Sequence, residues 1–294
     1  MLRILMNALR TGVVTIRYPA EPSVPPERFR GAPMLSPGSG LPPPGVCPSG
    51  ALSEHFDAGR RHVGLDLARC VFCGRCAEDP WGAAVTMGRD FELAARCRDD
   101  LRIEVAADDA QIAASGPAHG HEAEALRASS EIRRVLGRSL HLRHLDAGSC
   151  NACNWELTAL LNPVYDVRRL GIDFVASPRH ADGVVVTGPI TRNLETAVRR
   201  TVEAVPDPRI VIAVGACAAS GGIVGEGYAS AGGVDKVLPV DVYIPGCPPR
   251  PEAIIFGILV ALGRLDARRG ARTRLPSDAG ARVTRRLARR SLRR

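Results

Sequence analysis

Residues 210–217 read IVIAVGAC, an apolar run rich in β-branched residues that leads through glycine to a cysteine. A short apolar run that ends at a small-residue loop predicts a buried β-strand, here Ile210–Val214. The runs Leu140–Leu145 and Val242–Ile244 also predict strands, and each is followed within a few residues by cysteine. Val184–Thr187 predicts one more buried strand. The ends of three strands therefore lead to cysteines.

Helical patterns separate these strands, at residues 155–161 and at about 193–204. Alternating strands and helices predict an α/β fold with a parallel sheet and crossover helices. In open sheets of this kind, ligands bind beyond the carboxyl ends of the strands. We therefore expect four thiols to converge on one edge of the sheet, those of Cys150, Cys153, Cys217 and Cys247.

Four thiolates that include a close C-x2-C pair are typical ligands of an iron–sulfur cluster. Glycines in the three loops allow backbone amides to approach a cluster, and the proline after Cys247 stiffens its turn. A structural zinc site is the alternative, but it usually takes its four cysteines as two close pairs. Here one pair, Cys150 and Cys153, is joined by two single cysteines, which favours the cluster.

A second set of cysteines lies in residues 45–105. Residues 70–76 read CVFCGRC, the first three ligands of a bacterial ferredoxin motif, but the fourth cysteine is missing. Upstream, Cys47-Pro48 resembles the end of another such motif. In two-cluster ferredoxins the fourth cysteine of each motif binds the other motif's cluster. We therefore predict one complete 4Fe–4S ligand set, made of Cys47, Cys70, Cys73 and Cys76. The alternative is an eroded ferredoxin that binds nothing.

The chain divides by composition into four segments. Residues 1–105 hold an amphipathic N-terminal helix, a proline-rich stretch and the ferredoxin-like cysteines. Residues 106–124 are small and polar and predict a linker, and 125–263 contain the α/β unit. Residues 264–294 carry twelve arginines against two aspartates, so the formal net charge of +8 belongs to this tail.

The α/β unit resembles a known protein family. Residues 139–263 are similar to the small-subunit relatives of group 4 nickel–iron hydrogenases, including formate hydrogenlyase, and to the equivalent subunit of NADH:quinone oxidoreductase (complex I). The matching stretches are DAGSCNACNWE, SPRHADGVVVTGP, IAVGACAASGG and PVDVYIPGCPPRPEAI. The resemblance implies a flavodoxin-like domain that holds one 4Fe–4S cluster against a large catalytic subunit.

Residues 1–105 resemble the ferredoxin-like subunit of the same complexes through TIRYPAEP and VPPERFRGAPML. The resemblance thus implies a small α+β ferredoxin-like domain fused to its neighbouring subunit, with two consecutive clusters. The quinone-reducing branch has adjacent cysteines where this chain has the spaced pair Cys150 and Cys153, so the pair resembles the hydrogenase branch. Nickel–iron chemistry would then lie in the partner. A quinone-reducing complex without nickel and a non-redox zinc scaffold are the alternatives.

The family also implies other iron–sulfur and membrane subunits as partners, and a cytoplasmic, peripheral position on the inner face of the cell membrane. The apolar stretch Ile210–Gly225 is shorter than the roughly 20 residues of a membrane helix. No secretory or twin-arginine leader is recognisable, which suits thiols that bind metal. The arginine tail and N-terminal helix make an anionic membrane surface a candidate partner, and nucleic acid is not expected.

Four further residues are candidates for a role. Glu156 is a candidate proton relay beside the clustered thiols, although a glutamate early in a helix also complements the helix dipole. Arg179 and His180 are candidates for hydrogen bonds toward the cluster or a partner, with a plain surface loop as the alternative. Cys97 has no partner in either set, and we expect it to be a small buried residue.

Overall fold

The computed structural model describes residues 2–36, 42–57, 59–78, 85–106 and 136–273. Its N-terminal part contains one helix and five short strands: α1 Leu2–Thr11, β1 Pro33–Leu35, β2 Leu52–Asp57, β3 Arg60–Asp66, β4 Val85–Met87 and β5 Arg102–Ala106. All pairings are antiparallel: β1 pairs with β4, and β3 lies between β2 and β5. Strand β3 leads directly into the loop that carries Cys70, Cys73 and Cys76.

The C-terminal part is built on a five-stranded parallel sheet. Its strands are β6 Leu140–Asp146, β7 Ile172–Phe174, β8 Gly183–Thr187, β9 Ile210–Val214 and β10 Val242–Ile244. Their spatial order is β10-β9-β8-β6-β7. Counted within this sheet from the β7 edge, the order is 2-1-3-4-5, which is that of flavodoxin-like sheets. Strands β8, β9 and β10 are buried along their whole length, as expected where helices cover both faces.

Four helices belong to this sheet: α2 Ala152–Ala159, α3 Arg192–Glu203, α4 Ala216–Ser220 and α5 Pro251–Thr273. Helix α5 packs on β9 and β10, and α4 lies at the end of β9. Short 3-10 helices occupy Pro44–Val46, Arg75–Ala77, Asp99–Leu101, Val167–Leu170, Pro178–His180 and Val234–Lys236. Because α2 and α4 begin just after β6 and β9, their first turns carry cysteines to the carboxyl edge of the sheet.

The N-terminal segment packs directly on the parallel sheet. Ala95 and Tyr243 exchange two backbone hydrogen bonds, with N–O distances of 3.0 and 2.8 Å, so residue 95 extends the sheet at the β10 edge. The amide of Ile16 donates a hydrogen bond to the carbonyl oxygen of Val164, with an N–O distance of 2.9 Å. Buried residues of both parts, from Leu35 to Tyr243, also belong to one continuous hydrophobic core. These contacts hold the two cysteine-bearing regions together.

The structure confirms the predicted α/β class and the strands Ile210–Val214 and Val242–Ile244. The predicted helix at 155–161 is displaced: it begins at Ala152, because Asn151 turns the chain with φ 74° immediately before it. Helix α5 was not predicted, and it continues ten residues past position 263. No helix in the described ranges combines the length and the apolar character needed to cross a bilayer.

Two predictions of organisation fall largely outside the described residues. Residues 107–124 of the predicted linker and 274–294 of the arginine tail are not among them. The ferredoxin-like character of residues 1–105 stays a prediction, although the described part of that segment is built from antiparallel strands. The boundaries between the four segments likewise stay predictions.

Candidate metal centres

The second cysteine set lies at the carboxyl edge of the parallel sheet. Cys150 is in the loop after β6, and Cys153 is in the first turn of α2. Cys217 lies in α4 after β9, and Cys247 follows β10. Cys153 is buried and Cys217 half-buried, whereas Cys150 and Cys247 are exposed. The structure therefore brings the four predicted residues to one edge, as the strand pattern predicted.

Within this set, burial and neighbouring thiols raise the pKa of individual cysteines. Burial and then the three neighbouring thiols raise the pKa of Cys153 to about 12. Burial likewise raises the pKa of Cys217 to about 11, with Cys247 and Cys150 adding to the effect. Four neighbouring thiols resist ionisation because their charges repel one another. A bound cationic metal removes that penalty, since a coordinating thiol is deprotonated outright.

Two glycines leave room beside these thiols. Gly215 has φ +90°, and a Cβ there would lie 2.5 Å from the Sγ of Cys153. Gly222 has φ +57°, and a Cβ there would lie 2.8 Å from the Sγ of Cys217. Any side chain at either position would collide with a thiol. This close backbone approach suits a ligand held by the sulfur atoms, and the donor set therefore fits the predicted cluster.

Asp146, at the end of β6, fixes the loop that carries Cys150. Its Oδ1 accepts hydrogen bonds from the amides of Gly148 at 2.9 Å and Ser149 at 2.7 Å. Its Oδ2 accepts from the Ser149 hydroxyl at 3.1 Å and from Asn154 Nδ2 at 2.7 Å. Burial alone would raise the pKa of Asp146, but these hydrogen bonds outweigh it and lower the pKa. Sequence reasoning missed this residue, whose signal was an aspartate two positions before a Gly-Ser turn.

The same hydrogen-bond network continues into the sheet. Thr187 Oγ1 donates to Asn154 Oδ1 at 2.7 Å and lies 3.0 Å from His144 Nε2. Because the Thr187 hydroxyl donates its only proton to Asn154, His144 Nε2 must donate the hydrogen bond between the imidazole and Thr187 Oγ1. Burial lowers the pKa of His144 and favours the neutral ring. The first turn of α2 is thereby tied to β6 and β8.

The first cysteine set lines one cleft in the N-terminal part. This cleft is partly open to solvent, and its walls include Cys47, Cys70, Cys73 and Cys76. Burial, and then the other three thiols, raise the pKa of Cys70 to about 12. Burial and two neighbouring thiols also raise the pKa of Cys76. All four predicted members of this set therefore face the same space.

Backbone geometry turns sulfur atoms of this set toward amide donors. Phe72 adopts φ 54°, unusual for a bulky residue, and its amide donates to Cys70 Sγ at 3.4 Å. The amide of Ala51 donates to Cys47 Sγ at 3.3 Å. Burial would raise the pKa of Cys47, but hydrogen bonds from Ser49 and backbone amides lower it overall. These amides stabilise the thiolate form that metal binding requires.

The part of the chain that the structure describes contains no ready-made site for a single metal ion. Within the described ranges, no three or more Cys, His, Asp or Glu side chains are grouped so that they could hold one metal ion. A tetrahedral zinc ion with Zn–S bonds of about 2.3 Å would bring its sulfur atoms to about 3.8 Å from one another.

The other four candidate residues differ in their exposure and in their distance from the cysteine loops. Glu156 is half-buried, and burial followed by repulsion from Glu252 raises its pKa. Arg179 and His180 lie in the 3-10 helix that precedes β8, at the edge opposite the cysteine loops. The prediction that Cys97 is buried is wrong, because its side chain is exposed. The chain leaves the β10 edge after Ala95 and turns outward there.

Comparisons with known proteins identify the family of the parallel-sheet domain. Residues 150–261 match the family described as NADH ubiquinone oxidoreductase, 20 Kd subunit. A probable membrane-bound hydrogenase subunit of Pyrococcus furiosus is 46% identical over 136 residues, which cover 46% of this chain and 81% of the relative. Formate hydrogenlyase subunit 7 of Escherichia coli is 45% identical over 143 residues, which cover 49% of this chain but only 56% of the relative.

Two further matches are of the same kind. One subunit of the NADH-quinone oxidoreductase of Bacteroides thetaiotaomicron is 49% identical over 42% of this chain and 62% of the relative. Among solved structures, a chain of the membrane-bound sulfane sulfur reductase, an archaeal respiratory membrane complex, is 35% identical with a TM-score of 0.40. That match covers 47% of this chain and 75% of the other. The resemblance drawn from residues 139–263 is confirmed, and the chain belongs to the family of the 20 kDa subunit of NADH:ubiquinone oxidoreductase, a subunit of oxidoreductase complexes.

Proposed function

We propose that this chain is an electron-transfer subunit that binds two 4Fe–4S clusters and passes single electrons to or from a large catalytic subunit. One observation supports the proposal: Cys70 and Cys153 each lie close enough to the other three thiols of their predicted set for those thiols to raise their pKa, and the first set lines one cleft. The proposed ligands of the first cluster are Cys47, Cys70, Cys73 and Cys76. Those of the second are Cys150, Cys153, Cys217 and Cys247.

The protein's part in this function is to present thiolates and to shape their surroundings. A 4Fe–4S cluster supplies one-electron chemistry, with a potential set by hydrogen bonds to sulfur and by exposure to solvent. The amides of Ala51 and Phe72 donate to thiols of the first set, which favours the negative form. Gly215 and Gly222 keep side chains away from the second set. Burial of Cys70 and Cys153 limits the access of water to one thiol of each set.

The large catalytic subunit would dock at the carboxyl edge of the parallel sheet. Large apolar side chains are exposed there, next to the second set: Trp155 at 68%, Ile223 at 64% and Val224 at 66%. Trp155 follows Cys153 in α2, and the other two follow Cys217 and Gly222 in the chain. Large exposed apolar residues near a candidate cofactor site favour a protein interface there. Docking on this surface would place the second set close to the partner's reaction centre.

The proposed setting is a hydrogenase-type or complex I-like oxidoreductase at the cytoplasmic face of the cell membrane. The spaced pair Cys150 and Cys153 favours the hydrogenase type, and the matched Pyrococcus furiosus and Escherichia coli relatives carry hydrogenase and formate hydrogenlyase names. We further propose that the arginine tail contacts anionic lipid. Deleting residues 274–294, which leaves α5 intact, should reduce binding to phosphatidylserine vesicles, and unchanged binding would exclude this role.

Metal analysis of the anaerobically purified chain tests the proposal. Two 4Fe–4S clusters require about eight iron atoms and eight acid-labile sulfides per chain. Four iron atoms and four sulfides per chain would support a cluster at the second set only. They would exclude a cluster at the first set, as expected for an eroded ferredoxin. Zinc without sulfide would overturn the electron-transfer function and support the non-redox scaffold.

A further inference from the structure

Residues of the two cysteine-bearing loops line one cavity, which is partly open to solvent. One part of its wall contains Val71 and Phe72, from the loop of the first set, and another part contains Cys247 and Pro248, from the loop of the second set. Any residue that joins these walls therefore helps to determine how far apart the two sets lie and how they are oriented.

Two consecutive residues, Phe29 and Arg30, join the walls. Arg30 Nη1 donates a hydrogen bond of 2.6 Å to the carbonyl oxygen of Cys73, a member of the first set. The Phe29 ring stacks under the guanidinium of Arg250, whose Cζ lies 5.2 Å from the ring centroid. Arg250 is three residues after Cys247, a member of the second set. Phe29 and Arg30 thus contact the loops of both sets.

Arg250 is itself held rigidly. A second ring, that of Phe91, lies on its guanidinium, with Cζ 4.8 Å from the centroid. Glu252 accepts two hydrogen bonds from it, at 2.9 and 2.5 Å, and Glu252 is only 2% exposed. Ser23 adds a hydrogen bond of 2.9 Å to the same carboxylate. Within the described ranges, Arg250 Nη1 is buried without a hydrogen-bond partner, so stacking and the carboxylate determine its position.

The chemistry of this contact is specific to a guanidinium between two aromatic rings. A guanidinium is planar and weakly hydrated, and it stacks on aromatic faces in a way that a lysine ammonium does not reproduce. We infer that Phe29 and Arg30 are positioning residues that set the spacing and orientation of the two cysteine sets. The inference rests on the proposed function, because it matters for electron transfer only if both sets carry clusters.

Magnetic interaction between the two reduced clusters tests this inference on the full-length, iron-loaded chain. Electron paramagnetic resonance of the wild type should show splitting or broadening from that interaction. Phe29→Ala should weaken it while iron and sulfide stay at wild-type amounts, and Phe29→Trp, which keeps a ring, should retain it. Arg30→Gln should weaken it as well. The matched control is Arg28→Ala, since Arg28 is exposed and lines neither wall.

A second measurement covers variants that lose iron. Hydrogen–deuterium exchange of residues 70–76 and 245–250 should rise in Phe29→Ala and Arg30→Gln and stay unchanged in Arg28→Ala. The inference is overturned if Phe29→Ala and Arg30→Gln leave both the magnetic interaction and the exchange at wild-type values. It is also overturned if Arg28→Ala changes them equally. A wild-type chain without iron would instead remove the proposed function, and the exchange measurement would still test the contact itself.

Discussion

The backbone of Gly215 passes so close to Cys153 that a Cβ at position 215 would lie 2.5 Å from the thiol sulfur. Gly215 also has φ +90°, a conformation that residues with a Cβ rarely adopt. The first residue after strand β9 therefore faces a thiol in the first turn of α2, the helix that follows β6. This contact links two of the three chain segments that carry the second set.

Gly215→Ala should damage the second set selectively. The collision and the positive φ together should destabilise the fold by about 1–3 kcal/mol, and the displaced thiol should release its share of the iron. We expect about half of the wild-type iron content. Gly227→Ala is the matched control, because a Cβ at Gly227 meets nothing within 4 Å. Full iron content in Gly215→Ala, determined together with a denaturation curve, would show that this contact is unimportant.

Asp146→Asn should loosen the loop of Cys150. The variant lacks the charge and one of the two acceptor oxygens. We therefore expect the free energy of unfolding to fall by about 1 kcal/mol, a value at the low end of the usual range because the side chain is exposed. Because folding lowers the pKa of Asp146, the difference from wild type should be complete above about pH 4 and disappear as the pH falls through the lowered value. Denaturant unfolding across pH measures this. Asp57→Asn serves as the exposed control, and an equal loss there would remove the specific role.

Ile223→Glu should weaken association with the large catalytic subunit. A carboxylate in the centre of an apolar interface is desolvated without a partner, so affinity should fall at least about tenfold. Co-purification with the large subunit from a co-expressing strain measures this. Phe56→Glu is the control, because Phe56 is also exposed, at 70%, but lies in strand β2 away from the second set. Undiminished co-purification of Ile223→Glu would show that the large subunit does not dock at Ile223.

Cys97 should be the one thiol of the iron-loaded chain that reacts with iodoacetamide. It is exposed and belongs to neither set, whereas the eight ligand thiols are predicted to be bonded to iron. Mass spectrometry should find one modified cysteine before iron removal and nine after it. Modification of Cys150 or Cys247 in the loaded chain would contradict their assignment as ligands, because both are exposed enough to react when free.

The sequence predicted the parallel sheet well because buried strands leave a local signal. Ile210–Val214 is a continuous β-branched run, and it is a strand with those bounds. The pairing of cysteines across long chain distances followed from strand topology, since carboxyl ends of parallel strands share one edge. Neither inference required knowledge of side-chain contacts.

Contacts between distant segments could not be predicted in this way. The stacking of Arg250 between Phe29 and Phe91 joins residues more than 150 positions apart, and no periodicity indicates it. The exposure of Cys97 was missed for a related reason. Its neighbour Ala95 is buried by pairing with Tyr243, and only that tertiary contact determines where the chain turns outward.

Eight cysteines are proposed to form two separate four-thiolate cluster sites. Iron and acid-labile sulfide should be measured in three serine variants purified anaerobically: Cys70→Ser, Cys217→Ser and Cys97→Ser. Each of the first two should lose about four of the eight iron atoms, and Cys97→Ser should lose none. Loss of all iron in one variant, or an equal loss in Cys97→Ser, would contradict the division into two independent sets.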